Sequence, residues 1–147
     1  MTIRLAVPTR SHKLRQVDSR LLRSRAVRLL REIARSRSEL SIALMDDRDI
    51  ATLNIEHRGK NAPTDVLSFS LLEGRHSDRR GALLGDVVIG VETAARQART
   101  AHRSLDDKVA RLLIHGTLHL LGWDHQKSEE ARLMRAEERR LWRAIRR

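Results

Sequence analysis

At 147 residues with 40 % hydrophobic content, the chain is long enough to bury the core of one domain, which we expect to span residues 1–147. The absence of cysteine excludes disulfides and thiolate metal ligands. No apolar run approaches the ~20 residues of a membrane span, and the N-terminal residues lack the apolar core of a signal peptide. We therefore expect a soluble, cytoplasmic protein that makes no use of a membrane.

The formal net charge of +11 is unevenly distributed along the chain. Residues 1–37 carry 11 Arg or Lys and 2 acids, residues 38–125 carry 11 and 13, and residues 126–147 carry 8 and 4. Two basic ends therefore flank a nearly neutral middle. Such a distribution is typical of a protein that binds a polyanion.

Arginine greatly outnumbers lysine in these basic ends, which favours bidentate contacts with phosphates. Our candidates for such contacts are Arg20, Arg28 and Arg31. The same arginines are also compatible with a helix face that is only solvated. With one Phe, two Trp and no Tyr, the chain offers few side chains for stacking on bases, so nucleic-acid binding would depend on phosphates and shape.

Apolar periodicity in the first half of the chain predicts strands that alternate with helices. The predicted elements, in chain order, are a strand over 3–7 that stops at Pro8, a helix over 14–36, a strand over 39–45, a helix from Asp46 or Asp47 to about Glu56, a polar loop over 57–65 and a strand over 66–71. The helix over 14–36 is amphipathic and carries arginines on its exposed face.

The second half of the chain continues this alternation. Its predicted elements are a polar loop over 73–82, a buried strand over 83–91, a helix over 92–101, a helix from Ser104 to Gly122 and a terminal helix capped by Ser128 that runs to about Ile145. Ser104 with Asp107 resembles a capping box. About four strands in a small mixed sheet, packed with about five helices, predict an α+β domain whose central helix carries a zincin-like pair of histidines.

Three histidines, His115, His119 and His125, form the most informative pattern in the chain. In a helix, residues i and i+4 lie about 40° apart around the axis, so His115 and His119 can face one ion. Gly122 can adopt a positive φ and end the helix, which lets the chain return His125 to the same ion. Three protein ligands with one open position are the pattern of a catalytic zinc. Two histidines alone would also fit a helix core, but the third favours a metal site.

The segment HGTLHLLGWDH, residues 115–125, invites comparison with the H-E-x-x-H signature of zincin peptidases. In that signature the glutamate after the first histidine is the general base. This chain has Gly116 there, which can neither accept nor donate a proton. A standard metallopeptidase mechanism is therefore disfavoured.

The complete pattern resembles the YbeY family of bacterial endoribonucleases and rRNA maturation factors. The family motif H-G-x-L-H-L-x-G-[YF]-D-H matches residues 115–125, with Trp123 in the aromatic position. Three further motifs match in the family's order: RGKNAPTDVLSF at 58–69, LGDVVI at 84–89, and the E-E-x-x-x-M-x-x-x-E pattern at 129–138. The departures are His57, where tyrosine is common, and Ser70, where proline usually follows the phenylalanine.

The resemblance implies that His115, His119 and His125 hold one zinc ion (Zn2+) per chain and that Arg58 is the catalytically important arginine of the same cleft. It also implies single-strand-specific RNA cleavage in maturation of the 16S rRNA 3′ end and in ribosome quality control. The implied partners are rRNA and ribosomal components, among them the GTPase Era. The rival interpretation is a non-catalytic, zinc-stabilised rRNA-binding assembly factor.

The sequence leaves the general base open. Asp124 lies beside a metal ligand and either orients an imidazole from outside the metal shell or caps a turn. Asp65 is favoured as a hydrogen-bond acceptor between loop and strand over a catalytic base, and Asp86 as a structural residue of a buried strand. The remaining histidines fall outside the motif spacing, although His57 is close in sequence to Arg58.

Overall fold

The computed structural model describes residues 2–7, 12–70 and 83–147, so Pro8, His76 and the predicted loop over 73–82 lie outside the described residues. Five of the described helices are longer than two turns, and four strands form one mixed sheet, which confirms the predicted α+β class. The elements are β1 (Thr2–Ala6), α1 (His12–Arg15), α2 (Ser19–Glu32), β2 (Glu39–Met45), α3 (Asp47–Arg58), β3 (Val66–Ser70), β4 (Leu83–Gly90), α4 (Val91–Thr100), α5 (Leu105–Leu120) and α6 (Ser128–Ile145).

The sheet has the strand order β1-β2-β4-β3. Strand β2 pairs in parallel with β1 and with β4, whereas β3 pairs antiparallel with the outer side of β4. Strand β4 is therefore central, which explains why its sequence is an almost continuous apolar run. Strand β3, which leads out of the loop after α3, forms the edge beside α5.

Side chains that alternate along the strands divide the core between the two faces of the sheet. On one face, Ile42 and Val87 belong to the large cluster formed with α2, α4, α5 and α6. On the other face, Val88 and Leu67 pack with Ile50 of α3 in a smaller cluster. Helices α3 and α5 thus cover opposite faces and both reach the β3 edge.

The predicted helix over 14–36 is wrong, because the chain forms two helices that are separated at Asp18. The Asp18 carboxylate accepts a hydrogen bond from the backbone N–H of Leu21 at 3.1 Å and so caps α2. The Asp18 backbone N–H in turn donates to the carboxylate of Asp106 at 2.8 Å. A side chain 88 residues away therefore helps to fix the break.

The other long helices begin within one residue of the positions predicted from the sequence. Asp46, rather than Asp47, caps α3 by accepting from the N–H of Asp49. Ser128 does not cap α6: Lys127 occupies the N-cap position without a side-chain hydrogen bond, and Ser128 is the first helical residue. Acidic residues in the first turn of α6 complement the helix dipole instead.

A buried arginine joins three helices on the face opposite α3. Arg25 of α2 is 5 % exposed, and its guanidinium donates to the carbonyl oxygens of Asp106 and Arg146 and to the carboxylate of Asp107. Ser104 Oγ accepts from the N–H of Asp107, which forms one half of the predicted capping box. The other half does not form, because the Asp107 carboxylate accepts from Arg25 instead. Among the described residues, no helix is long and apolar enough to cross a membrane.

Candidate metal centre

Helix α5 lies unusually close to the sheet at the position between its two histidines. A Cβ atom at Gly116 would lie 2.8 Å from Ser68 Oγ of β3 and 2.8 Å from Val87 Cγ1 of β4. The close approach lets the Ser68 hydroxyl donate to the Gly116 carbonyl oxygen at 2.8 Å. Glycine at the position of the zincin glutamate is therefore needed for the packing of α5 against the sheet.

The third histidine reaches the site because the chain reverses at Gly122, just after α5. This glycine has φ +94°, and its N–H donates to the carbonyl oxygen of His119. The N–H of Trp123 donates to the carbonyl oxygen of Leu118 at 3.0 Å, which completes a Schellman motif. The chain therefore reverses at the residue predicted from the sequence and brings His125 back toward the helix.

The structure brings the three predicted ligands together. One ring nitrogen from each of His115, His119 and His125 lies within 4.8 Å of the other two. The Nε2 atoms of His115 and His119 are 3.1 Å apart. For comparison, two tetrahedral ligands at ~2.0–2.1 Å from a zinc ion are separated by about 3.4 Å.

Hydrogen bonds on the far side of two rings identify the nitrogens that are available for a metal. His119 Nδ1 lies 2.9 Å from the carbonyl oxygen of Trp123 and must donate to it, because a carbonyl oxygen only accepts. His115 Nδ1 lies 3.5 Å from the Glu138 carboxylate, which favours a proton on that nitrogen. Both Nε2 atoms then carry lone pairs directed at each other, an arrangement that a shared cation stabilises.

Electrostatics favour the neutral ligand form of the central histidine. Burial lowers the pKa of His119 below its ordinary value, and the neighbouring His115 lowers it further. The His119 imidazole is therefore neutral at neutral pH and free to bind a cation. Three imidazole nitrogens without a thiolate fit zinc and other divalent transition metals, so this site is a candidate metal centre.

The predicted catalytic arginine lies in the same cleft as the histidines. A cavity of about 420 Å³ is lined by all three histidines and by Arg58, the last residue of α3. The loop after α3 is held by Asn54, whose buried side-chain amide donates to the carbonyl oxygen of Ala62. Arg58 is an exposed residue and thus available to a ligand in the cleft.

Asp65 and Asp124 also line this cavity. The carboxylate of Asp124 accepts from the backbone N–H of His125 at 2.7 Å, whereas His125 Nδ1 is 3.7 Å away, beyond hydrogen-bond distance. Its hydrogen bond is thus that of a turn residue. Asp65 accepts from the N–H of Gly90 through its backbone oxygen, and its carboxylate lies 3.5 Å from the Thr64 hydroxyl.

The sequence patterns assign no role to two residues near the histidines, namely Glu138 beside His115 and Ser68 beneath Gly116. Glu138 closes the last of the four motifs, and that position was the only signal available. Its distance from His115 along the chain hides the contact, because α6 must first fold back onto α5.

The candidate RNA-binding arginines lie on α2, away from the residues that line the metal cleft. Arg20 and Arg31 are exposed. Arg28 donates to the carbonyl oxygens of Ile145 and Arg147 at the end of α6, so part of its function is structural. His57 does not line the cleft and instead contacts the Phe69 ring at 4.4 Å between centroids.

Comparisons with known proteins agree with this architecture. A profile of the family "Endoribonuclease YbeY" matches residues 8–146. Proteins named endoribonuclease YbeY from an Anaeromyxobacter species and from Geobacter sulfurreducens are 47 % and 39 % identical to the chain. These alignments cover 98 % and 91 % of this chain and 72 % and 91 % of the relatives.

A solution structure of the protein TM1509 from Thermotoga maritima has a similar fold, with a TM-score of 0.61 and 23 % identity. The superposition covers 99 % of this chain and 92 % of that one. This similarity supports the arrangement of helices and strands described above.

Proposed function

This chain belongs to the endoribonuclease YbeY family, and we propose that it is a zinc-dependent, single-strand-specific endoribonuclease that acts in the cytoplasm on ribosomal RNA. The proposed roles are maturation of the 16S rRNA 3′ end, ribosome biogenesis and ribosome quality control. One observation supports the chemistry most directly: three histidine nitrogens converge in a cleft that also contains Arg58.

The residues of the cleft suit hydrolysis of a phosphodiester. A zinc ion held by His115, His119 and His125 would lower the pKa of water and polarise a phosphoryl oxygen. Arg58 provides a fixed charge and a fork of donors for the non-bridging oxygens, where negative charge grows during the reaction. Asp65 and Asp124 are the carboxylates that line the cleft and are the candidates for accepting a proton.

The proposed partners are rRNA and ribosomal components, including the GTPase Era. The net charge of +11 supports binding to a polyanion, because phosphate contacts by Arg and Lys release counterions. Contacts with phosphates carry no sequence information, so they suit a substrate that is not recognised by its base sequence.

The test uses a defined structured RNA, protein of measured zinc content and mapping of the cleaved ends. Arg58→Ala is expected to retain fold and zinc but to lose about two to three orders of magnitude in cleavage rate, the scale for removal of one preorganised donor. Arg58→Lys is expected to recover only part of the rate, because an ammonium lacks the bidentate fork. Arg48→Ala, at the other end of α3, is the matched control.

The outcomes separate catalysis from binding. Under the proposal, RNA affinity falls far less than rate in Arg58→Ala, since one phosphate contact is a small share of binding. An equal loss of affinity and rate would make Arg58 a binding residue. If wild-type protein cuts no RNA even with ribosomal partners present, the nuclease proposal fails, and a zinc-stabilised rRNA-binding assembly factor becomes the better description.

A further inference from the structure

A second cavity, of about 240 Å³, adjoins the metal cleft on the other side of His115. His115 and Asp65 line both cavities, so the two are neighbours along α5. Three cationic side chains, those of Arg103, Lys108 and Arg111, line the second cavity. The family motifs matched by this chain contain none of these three residues.

The cations are in line with the histidines because of helical spacing. Lys108, Arg111, His115 and His119 follow one another at intervals of three, four and four residues, which places them on one face of α5. With a rise of 1.5 Å per residue, Arg111 lies about 6 Å and Lys108 about 10 Å from His115 along the axis. Positive charge therefore extends from the metal centre toward the start of the helix.

These cations have no bonded counter-ion in the part of the chain that the structure describes. Among the described residues, the side chains of Arg103, Lys108 and Arg111 make no hydrogen bond and no ion pair. The Arg111 guanidinium lies over the Trp142 ring at 4.6 Å, and its Nε is buried without a partner. An arginine fixed by stacking, with unused donors, is preorganised for a bidentate contact with two oxygens of a phosphate.

The acidic residues of this cavity neutralise the cations only in part. Asp65 and Glu138 are the two carboxylates against three cations, and Glu138 lies 3.5 Å from His115 Nδ1. Burial lowers the pKa of Lys108 and of Arg111, although nearby carboxylates oppose this, chiefly Asp65 for Lys108 and Asp107 for Arg111, and Arg103 adds to both downward shifts. A bound anion would relieve this cost of holding positive charge in a cavity.

We propose that Arg103, Lys108 and Arg111 form a phosphate subsite that binds a second phosphodiester of the same RNA strand, next to the one in the metal cleft. This inference rests on the proposed function and specifies how the substrate strand lies along α5. It predicts that the strand runs from Arg58, past the histidines, to Arg111.

The test pairs a neutral linkage in the RNA with a neutral residue in the protein. In a single-stranded RNA with a mapped cleavage site, each linkage near that site is replaced in turn by an uncharged methylphosphonate. For wild-type protein, one linkage beside the cleaved bond is expected to lower kcat/KM and affinity about tenfold, the scale of one charged hydrogen bond. In Arg111→Gln the same replacement is expected to have little further effect.

Matched variants guard against a folding artefact. Lys108→Gln leaves the stack of Arg111 on Trp142 intact and is expected to reduce the effect of the methylphosphonate, but less than Arg111→Gln does. Arg111→Lys retains the charge and is expected to keep part of the wild-type sensitivity to the methylphosphonate. Arg48→Gln, an exposed residue on α3, controls for a general loss of charge, and zinc content is measured in each variant.

Each outcome decides the inference. Equal effects of every methylphosphonate in wild type and Arg111→Gln would refute the subsite, even if the protein cleaves RNA. If wild type binds the RNA without cleaving it, the proposed function fails, and the same scan read by affinity alone still supports or refutes the subsite. Failure to bind any RNA would refute both.

Discussion

Replacement of Gly116 by alanine tests how closely α5 lies on the sheet at the metal centre. The added Cβ would meet Ser68 Oγ and Val87 Cγ1 at 2.8 Å and Val66 Cγ2 at 3.1 Å. Such contacts are shorter than van der Waals separations, so either the Ser68 and Val87 side chains both rotate or α5 moves outward. Rotation of Ser68 would break its hydrogen bond to the Gly116 carbonyl oxygen.

Opposing free-energy terms determine the size of the effect. Overpacking of this kind costs about 1–3 kcal/mol, and the lost hydrogen bond adds about 1 kcal/mol. The higher helix propensity of alanine returns about 1 kcal/mol. We therefore expect Gly116→Ala to lower the free energy of unfolding by about 1–3 kcal/mol and Tm by about 4–10 °C.

The effect on function should differ from the effect on metal binding. All three histidines belong to α5 and the turn that follows it, so they move together when the helix shifts. Arg58 belongs to α3, on the other face of the sheet. Zinc content should therefore be largely retained, while the RNA cleavage rate falls because Arg58 and the metal centre lose their alignment.

The assay is thermal unfolding of Gly116→Ala, Ser68→Ala and the double variant, each with zinc analysis. Ser68→Ala removes one of the colliding atoms, so the second substitution should cost less in that background than in wild type. A Tm equal to or above that of wild type in Gly116→Ala would contradict the close approach of α5 to the sheet.

Three further predictions concern the metal, the RNA and the packing of the helices. Wild-type protein should carry about one zinc per chain, and His119→Ala should lose most of it. Replacement of the exposed His102 by alanine should leave the zinc content unchanged. Full zinc occupancy in His119→Ala on metal analysis would remove that residue from the site. RNA affinity should fall steeply with salt, and the double substitution Arg20→Glu with Arg31→Glu should lower it at unchanged zinc content. Binding that is independent of salt would mean that the arginines are only solvated. Arg28→Glu should also reduce stability, since Arg28 holds the end of α6. Arg25→Leu should lower the free energy of unfolding by about 2–4 kcal/mol, because it leaves a carboxylate and two carbonyl oxygens without their donor, and an unchanged denaturation midpoint would contradict that contribution.

Local physical chemistry explains why much of the fold was predictable. Strand β2 was predicted with its observed bounds, because its apolar alternation matches a strand. The N-cap of α5 at Ser104 and the chain reversal at Gly122 depend on a side-chain hydrogen bond and on a positive φ, both properties of single residues. Since α5 is regular, the spacing of His115 and His119 sufficed to predict that their rings meet.

Other features depend on residues that are far apart in the chain. The break at Asp18 is stabilised by Asp106, and no local pattern indicates that bond. The role of Gly116 followed only from the packing of α5 against β3 and β4; from the sequence it was simply the loss of a general base.

The metal centre and its surroundings also combine features that local sequence determines with features that depend on distant residues. The sequence by itself determined that the three histidines converge, because one helix and the glycine that follows it hold them. Only the tertiary structure placed Glu138 beside His115, and Asp65 in the cavity that Lys108 and Arg111 line. These contacts require α6 and the β3 edge to pack against α5, and that packing results from burial of apolar surface by the whole chain, which no local spacing encodes.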